Sequence, residues 1–290
     1  TNFYHEYLLL SSEGAEAIRY LEGRGISRDS MVAFTIGLAP REREGLKNHL
    51  AAAGYPQDLM EQAGLILRSS DGYTRDLFRG RLLFPIRNVA GQIAGLGGRT
   101  LDESTPKYLN TPKTPIFDKG NLLYGLYEAA EAIRHENLGV IVEGYTDTVI
   151  AHQHGFCNVV ASMGTALTER QVGHLVGLAN VFVLALDPDT AGQEATLRSL
   201  EASWKVFQPT LVNRRQGNTG PTYQGKPTVE LRVALLTSGL DPADLISQDP
   251  DGWIQAINRA QTLIDFLFEF LPPRYDLNTS KGKLQLAERI

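Results

Sequence analysis

The stretch Val140-Ile-Val-Glu143-Gly-Tyr-Thr-Asp147 decides the fold when it is read together with Val181-Phe-Val-Leu-Ala-Leu-Asp187-Pro-Asp189-Thr-Ala-Gly192. Each stretch is a short apolar run that ends in carboxylates and a glycine. A continuous apolar run predicts a strand that is buried on both faces, as in a parallel sheet. Because open α/β sheets place their ligand crevice at the carboxyl ends of the strands, Glu143, Asp187 and Asp189 are predicted to lie at one sheet edge.

Three carboxylates at one sheet edge predict a metal site. Residues i and i+2 of an extended chain face the same side, roughly 6.6 Å apart, so Asp187 and Asp189 can both point into the crevice. Neighbouring ionised carboxylates need a compensating cation, and oxygen ligands select Mg²⁺ or Mn²⁺. A lone Asp-x-Asp after a strand is often only a solvated turn. The prediction therefore depends on the joint order of strand-Glu-Gly, helix, strand, helix and strand-Asp-x-Asp.

This joint pattern resembles the TOPRIM module, which DnaG-type bacterial primases share with topoisomerases, some nucleases and RecR-type repair proteins. Between the two motifs, Ala161-Ser-Met-Gly-Thr-Ala-Leu-Thr-Glu169 is similar to the primase version. Four stretches outside the module also resemble the polymerase core of DnaG-type primases: Arg79-Gly-Arg-Leu-Leu-Phe-Pro-Ile-Arg87, Gly95-Leu-Gly-Gly-Arg99, Pro106-Lys-Tyr-Leu-Asn110 and Gly120-Asn-Leu-Leu-Tyr-Gly-Leu-Tyr-Glu128.

The resemblance implies an α/β fold, in which a TOPRIM parallel-sheet module is flanked by an N-terminal α+β subdomain and a C-terminal helical piece. The expected boundaries are 1–137, 138–240 and 241–290, with a polar, Gly-rich insertion at about 208–227 inside the module. The chain resembles an excised core. A zinc-binding template reader is expected before Thr1 and a helicase-binding segment after Ile290.

The activity implied by the resemblance is synthesis of short RNA primers on single-stranded DNA. A 3′-hydroxyl would attack the α-phosphorus of a ribonucleoside triphosphate, and two Mg²⁺ or Mn²⁺ ions would assist that attack and the departure of pyrophosphate. The resemblance implies catalytic roles for Glu143, Asp187 and Asp189. It leaves open whether Glu143 is a metal ligand or a proton-transfer group.

One further pair of acids departs from the family pattern. The family often has Asp-Pro-Asp where this chain has Asp241-Pro-Ala243, followed by Asp244. Asp241 therefore carries over as a metal ligand, and Asp244 is a shifted candidate for the second acid. A helix-start carboxylate that interacts with the helix dipole explains Asp244 equally well.

A basic segment is expected to hold the template or the triphosphate. Between Arg75 and Lys119 there are eight Lys or Arg and four acids, a net charge of +4. Because the whole chain has a net charge of −5, the remaining residues together carry −9. This asymmetry favours nucleic acid along one region and metal in another. The resemblance implies that the residues contacting phosphate or base are Arg79, Arg81, Arg99, Lys107, Tyr108, Asn110 and Lys119.

Composition narrows the class of protein. No apolar run is long enough for a membrane span and no signal peptide opens the chain, so a cytoplasmic protein without a membrane partner is expected. The single cysteine excludes a Cys-based zinc element, which weighs against a RecR-like binding module. A topoisomerase would need a nucleophilic tyrosine on a separate DNA-gate domain, for which this chain is expected to leave no room. The alternatives are a phage-type primase-helicase fragment or another TOPRIM enzyme, a topoisomerase or a nuclease.

The sequence pattern also predicts individual elements. Ser27 is predicted to cap a short helix that carries Met31 and Phe34. A hairpin is expected around Ser70-Asp-Gly72, and strands at Arg81–Ile86, Gln92–Leu96 and Val229–Leu236. Residues Thr105–Gly120 show no clear period and are predicted to form a loop. A single amphipathic helix is predicted from Trp253 to Leu271.

Overall fold

The structure is a computed structural model that describes residues 1–102, 105–164, 167–186, 229–236, 239–270, 272 and 275–287. The chain divides into two compact units that are not continuous in sequence. The first unit contains Thr1–Ala130 and Glu143–Gly164, and the second contains Glu131–Val142 and Thr165–Ile290. The segment after Glu143 therefore returns to the unit that contains the N-terminal residues.

The first unit opens with five short helices, and serine side chains cap the starts of two of them. Ser11 and Ser27 accept hydrogen bonds from the backbone N–H of Gly14 and Ser30, so each serine caps the helix that follows it. Ser27 was expected to have this role. The helices are α1 Asn2–Leu10, α2 Ser12–Gly23, α3 Arg28–Ala33, α4 Gly45–Ala52 and α5 Gln57–Gln62.

An antiparallel sheet and a hairpin follow in the first unit. The strands are β1 Gly37–Leu38, β2 Ile66–Arg68, β3 Thr74–Asp76, β4 Arg81–Arg87, β5 Ile93–Thr100 and β6 Tyr108–Asn110. Strands β2 and β3 form the predicted hairpin, while the sheet has the order β1-β4-β5-β6. The loop prediction for Thr105–Gly120 was wrong at β6. A three-residue strand is too short to show a period, and its pairing of Asn110 with Gly97 is a tertiary contact.

The core of the first unit packs against both faces of β4. Its first six residues, from Arg81 to Ile86, are all buried, so the strand lacks the alternation of a half-exposed strand. One apolar cluster combines residues from α1, α4, the sheet and the loops next to its strands: Tyr4, Ala39, Leu46, Leu77, Phe78, Leu83 and Leu96.

Helix α6 (Leu126–Glu136) and strand β7 (Leu138–Val142) lead to helix α7 (Tyr145–Gln153) and strand β8 (Val159–Ala161). Contacts with earlier segments of the chain explain why α7 and β8 belong to the first unit. The Gln153 side chain accepts hydrogen bonds from the Ser27 backbone N–H at 2.7 Å and from the Ser30 hydroxyl at 2.9 Å. A backbone bridge joins Tyr124 to Ala161. These contacts join residues more than thirty positions apart in sequence.

The second unit is built on parallel strands, as the apolar runs predicted. Its further described elements are α8 Glu169–Leu175, β9 Val181–Leu186, β10 Glu230–Leu235, α9 Pro242–Gln248, α10 Pro250–Asn258, β11 Gln261–Thr262, α11 Leu263–Phe270 and α12 Ser280–Ala287. Strands β7 and β10 both pair in parallel with β9, and β11 pairs antiparallel with β10. The carboxyl ends of the three parallel strands are therefore at one sheet edge.

The prediction of one helix from Trp253 to Leu271 was wrong. The structure has two helices there, α10 and α11, with the short strand β11 between them. Trp253, Ile257 and Leu263 are buried on either side of the break, so the apolar spacing continues through it. The pairing of β11 with β10 decided the break, and helical periodicity does not report such a pairing. None of the helices within the described ranges is long and apolar enough to cross a membrane.

Candidate functional site

Glu143 lies at the start of the turn between β7 and α7. The turn is locked because the Asp147 carboxylate accepts a hydrogen bond from the Gly144 backbone N–H at 3.0 Å. Glu143 is half-buried, and this burial raises the pKa of its carboxyl group. A partly desolvated carboxylate at a strand end is the kind of oxygen donor that a nearby cation stabilises in its ionised form.

Asp187 and Asp189 directly follow β9 in sequence but lie outside the residues that the structure describes. The insertion predicted at about 208–227 lies outside them as well. Strand β9 ends at Leu186 and lies between its parallel neighbours β7 and β10.

Asp241 and Asp244 lie at the start of α9 in the second unit. Asp241 is the helix cap, and its Oδ1 accepts a hydrogen bond from the Asp244 backbone N–H at 2.8 Å. Pro242 occupies the first helical turn, where its missing N–H costs no hydrogen bond. Asp244 lies exposed in that turn, where a helix-start carboxylate is expected. No group of three or more His, Cys, Asp or Glu that could hold a metal occurs among the described residues.

Five side chains of the first unit form what we call the cation–aromatic cluster: Tyr20, Arg24, Arg99, Lys107 and Tyr108. The Arg99 guanidinium carbon is 5.9 Å from the centre of the Tyr20 ring and 5.4 Å from that of Tyr108. Arg24 approaches Tyr20 at 5.6 Å, and the Lys107 ammonium approaches Tyr108 at 6.0 Å. Cations and rings therefore alternate, at distances where cation–π attraction acts.

Arg99 is the buried centre of the cluster. Only 4% of it is exposed, and its Nη1 donates a hydrogen bond to the Tyr108 hydroxyl at 2.8 Å. Its buried Nε has no hydrogen-bond partner among the described residues. Lys107 and Tyr108 are exposed, so they present a charge and a ring to solvent, while the buried Arg99 holds Tyr108.

Arg81 has a different environment from the other predicted phosphate contacts. It is buried, and its two terminal nitrogens donate to the carbonyl oxygens of Pro106 at 2.9 Å and Lys107 at 3.3 Å. These bonds fix the chain just before β6. The structure thus gives Arg81 a positioning contact with the segment that carries Lys107 and Tyr108.

The remaining predicted binding residues are spread through the first unit. Arg79 is exposed just before β4. Lys119 is half-buried in the short 3₁₀ turn Lys119–Asn121, and burial lowers the pKa of its ammonium group. Asn110 is half-buried at the end of β6, where its side-chain oxygen accepts a hydrogen bond from the Tyr145 hydroxyl at 2.6 Å.

Sequence reasoning missed three residues of this region. Tyr20 and Arg24 are four positions apart on α2 and its C-terminal end, a spacing that puts them on one helix face. That spacing could have predicted a contact between Tyr20 and Arg24. It does not indicate that the same face of α2 meets Arg99 of β5. Tyr145 follows the Glu-Gly motif directly, and only the fold shows that it reaches β6.

Comparison with known proteins identifies the class to which these features belong. The family described as "DNA primase catalytic core, N-terminal domain" matches residues 3–130, and the Toprim domain family matches residues 138–214. A DNA primase of Halalkalibacterium halodurans is 40% identical over 291 residues, which covers 99% of this chain and 45% of that relative. The protein thus combines a primase core domain with a Toprim domain.

Solved structures agree with this class. A DNA primase domain from Pseudomonas aeruginosa is 35% identical with a TM-score of 0.83, covering 99% of this chain and 84% of that one. A DnaG primase catalytic domain bound to single-stranded DNA is 33% identical with a TM-score of 0.79, covering 99% and 87%. The chain belongs to the family of DnaG-type primase catalytic cores. It spans less than half the length of the curated relatives it matches.

Proposed function

We propose that the chain is the RNA-polymerase core of a replicative primase, a nucleotidyltransferase that joins ribonucleotides into short primers on single-stranded DNA. The cation–aromatic cluster carries this proposal from the structure. An exposed aromatic ring such as Tyr108 offers a stacking face to bases of any sequence, and adjacent cations can contact the backbone phosphates. A similar catalytic domain in complex with single-stranded DNA supports the choice of template.

The described residues have two roles in the proposed binding, contact with the ligand and positioning of the contacting residues. Lys107 and Tyr108 are exposed and would contact the template or the triphosphate directly. Arg99 and Arg81 are buried and would hold those two residues in place through the bonds described above. Arg79, Asn110 and Lys119 complete the proposed binding set. Bases stacked on Tyr108 and phosphates near Lys107 would give an affinity that falls as salt rises.

The acids would supply the metal site of the same reaction. We propose that Glu143, Asp187 and Asp189 are catalytic and that Asp241 and Asp244 are further ligands, all of them oxygen donors that suit Mg²⁺ or Mn²⁺. When bound, such ions would lower the pKa of the attacking hydroxyl and neutralise the departing pyrophosphate. The half-buried Glu143 fits this role because its carboxylate gains from a cation what it loses in hydration.

The other partners follow from the family and are proposals of the same kind. The full-length protein would act with a replicative helicase and carry zinc in a separate template-reading domain, both in the cytoplasm. All the residues proposed for the reaction lie in this chain. The core can therefore be tested alone.

Incorporation of labelled ribonucleotides on single-stranded DNA, with Mg²⁺ or Mn²⁺, tests the proposal. We expect short RNA products that require both template and metal. A reaction without template and one with the Glu143→Gln variant serve as controls. The proposal is wrong if the folded chain binds single-stranded DNA and still makes no RNA with either metal. Cleavage or relaxation of DNA instead would assign the chain to a nuclease or topoisomerase.

A further inference from the structure

Tyr145 connects the turn that carries Glu143 to the strand that carries Asn110. Its hydroxyl donates to Asn110 Oδ1 at 2.6 Å, although the two residues are 35 positions apart. Only 3% of Tyr145 is exposed. A single hydrogen bond between side chains therefore links two of the segments that the proposed reaction uses.

The ring of Tyr145 is held by packing as well as by this bond. It stacks on Phe84 of β4 with ring centres 5.2 Å apart and an interplanar angle of 8°, and its edge meets Tyr124 at 4.9 Å. Gly97 of β5 pairs with Asn110, and a side chain at Gly97 would clash with the Tyr145 ring and hydroxyl. The phenol oxygen is thus confined to the position from which it reaches Asn110.

This contact sets the orientation of the Asn110 amide. An amide side chain offers one oxygen acceptor and two N–H donors. Because the Tyr145 hydroxyl donates to the oxygen, the amide nitrogen of Asn110 is the end left to donate to another group. Asn110 is half-buried, two residues from the exposed Tyr108 on the same face of β6, where successive side chains alternate.

We propose that Tyr145 is a positioning residue that holds the side-chain amide of Asn110 as a hydrogen-bond donor to a phosphate oxygen of the template or of the incoming nucleotide. This inference rests on the proposed function. The shared chemistry of the two sources is an anionic phosphate oxygen, which accepts N–H donors. Tyr145 itself would not touch the ligand, since it is buried behind Asn110.

The test compares two tyrosines that touch each other. Tyr145→Phe keeps the stacked ring and removes only the hydroxyl. Tyr124→Phe is the matched control, because the Tyr124 hydroxyl is buried without a hydrogen-bond partner among the described residues. We expect Tyr145→Phe to weaken phosphate-dependent binding by roughly three- to tenfold, the effect of one lost hydrogen bond, while Tyr124→Phe leaves it unchanged.

Three measurements on each variant separate the sources. Anisotropy of a labelled oligothymidylate gives the affinity for template, primer synthesis gives KM for ATP and kcat, and thermal unfolding gives Tm. A weaker template affinity assigns the donor to a template phosphate. A raised KM with unchanged template affinity and kcat assigns it to the triphosphate. Equal binding and kinetics in Tyr145→Phe, Tyr124→Phe and the wild type would overturn the proposal.

A double-mutant cycle with Asn110→Ala excludes a merely structural role. If Tyr145 acts through Asn110, then adding Tyr145→Phe to Asn110→Ala produces no further loss of binding. Additive losses would overturn the inference even if Tyr145→Phe alone weakens binding. The wild type distinguishes the two proposals: absence of primer synthesis there refutes the proposed function, whereas normal wild-type synthesis without coupling refutes only the role of Tyr145.

Discussion

The binding residues of the first unit and the described acids of the second unit differ in what holds them. In the first unit, side chains hold other segments of the chain: Arg99 of the cation–aromatic cluster donates to the Tyr108 hydroxyl, and Arg81 beside the cluster donates to the backbone before β6. At the start of α9, Asp241 holds only its own helix, by accepting the Asp244 backbone N–H. The first arrangement combines distant segments, while the second is complete within four residues.

This difference has a consequence for substitution. A residue in the first arrangement can have a large effect on stability without touching a ligand, because several segments depend on it. A capping aspartate can be replaced by asparagine at little cost, since both cap helices about equally well. The two regions therefore respond differently to conservative changes, and the following variants test that contrast.

The largest effect is expected from Glu143→Gln and from Asp187→Asn. Each removes a charge proposed to bind metal, which should lower primer synthesis by roughly a thousandfold or more, because metal-assisted catalysis supplies several kcal/mol. Tm should not fall, since an amide at half-buried Glu143 avoids burying a charge. Glu131→Gln, at an exposed acid of α6, is the control and should retain full activity. A wild-type rate of primer synthesis in either variant would show that the mutated residue does not belong to the metal site.

Arg81→Ala should have the next largest effect, mainly on stability. The carbonyls of Pro106 and Lys107 each lose a hydrogen bond from a guanidinium, a change that typically costs about 1 to 3 kcal/mol, so Tm should fall by several degrees. Arg79→Ala, only two positions earlier and exposed, should leave Tm within about one degree. Thermal unfolding of both variants checks this, and equal Tm values would show that the Arg81 contacts contribute no stability.

Asp241→Asn should separate capping from metal binding. Asparagine keeps the cap, so Tm should stay within about a degree, while the loss of a charged ligand should raise the Mn²⁺ concentration for half-maximal synthesis roughly tenfold, about 1.4 kcal/mol. Asp244→Asn is measured beside it. A matching shift would make Asp244 a ligand. A metal titration for Asp244→Asn that superimposes on the wild type would leave it as a helix-start carboxylate.

Lys107→Ala should have the smallest effect. It removes one exposed charge, which should weaken single-stranded DNA binding a fewfold and reduce the slope of log affinity against log salt by about 0.7. Lys113→Ala is the matched control, because Lys113 belongs to the same basic segment but is paired with Asp118 at 2.9 Å. Affinities of both variants and the wild type for single-stranded DNA, measured at several salt concentrations, give the slopes to compare. If both variants keep the wild-type slope, Lys107 makes no phosphate contact.

The sequence by itself determined the parallel strands of the second unit and the family. An apolar run such as Val181–Leu186 is stable as a strand when both of its faces are buried. Such a run therefore predicts a strand of a parallel sheet even when its contacts are not known. The capping of α3 by Ser27 and the hairpin around Ser70–Gly72 were also predictable, because a few adjacent residues decide each of them. The metal site at Glu143, Asp187 and Asp189 was predicted from the strand pattern, whereas the catalytic and binding roles came from the resemblance; all of them stay predictions.

Only the tertiary structure decided the features that depend on distant partners. Strand β6 exists because it pairs with β5, and β11 interrupts an unbroken helical period because it pairs with β10. The division of the chain, which places Glu143–Gly164 with the N-terminal residues, follows from contacts such as Gln153 with Ser27. Tyr145 meets Asn110 across 35 residues for the same reason. Local patterns encode what neighbouring residues need, whereas a contact between remote segments is fixed only when the whole unit packs.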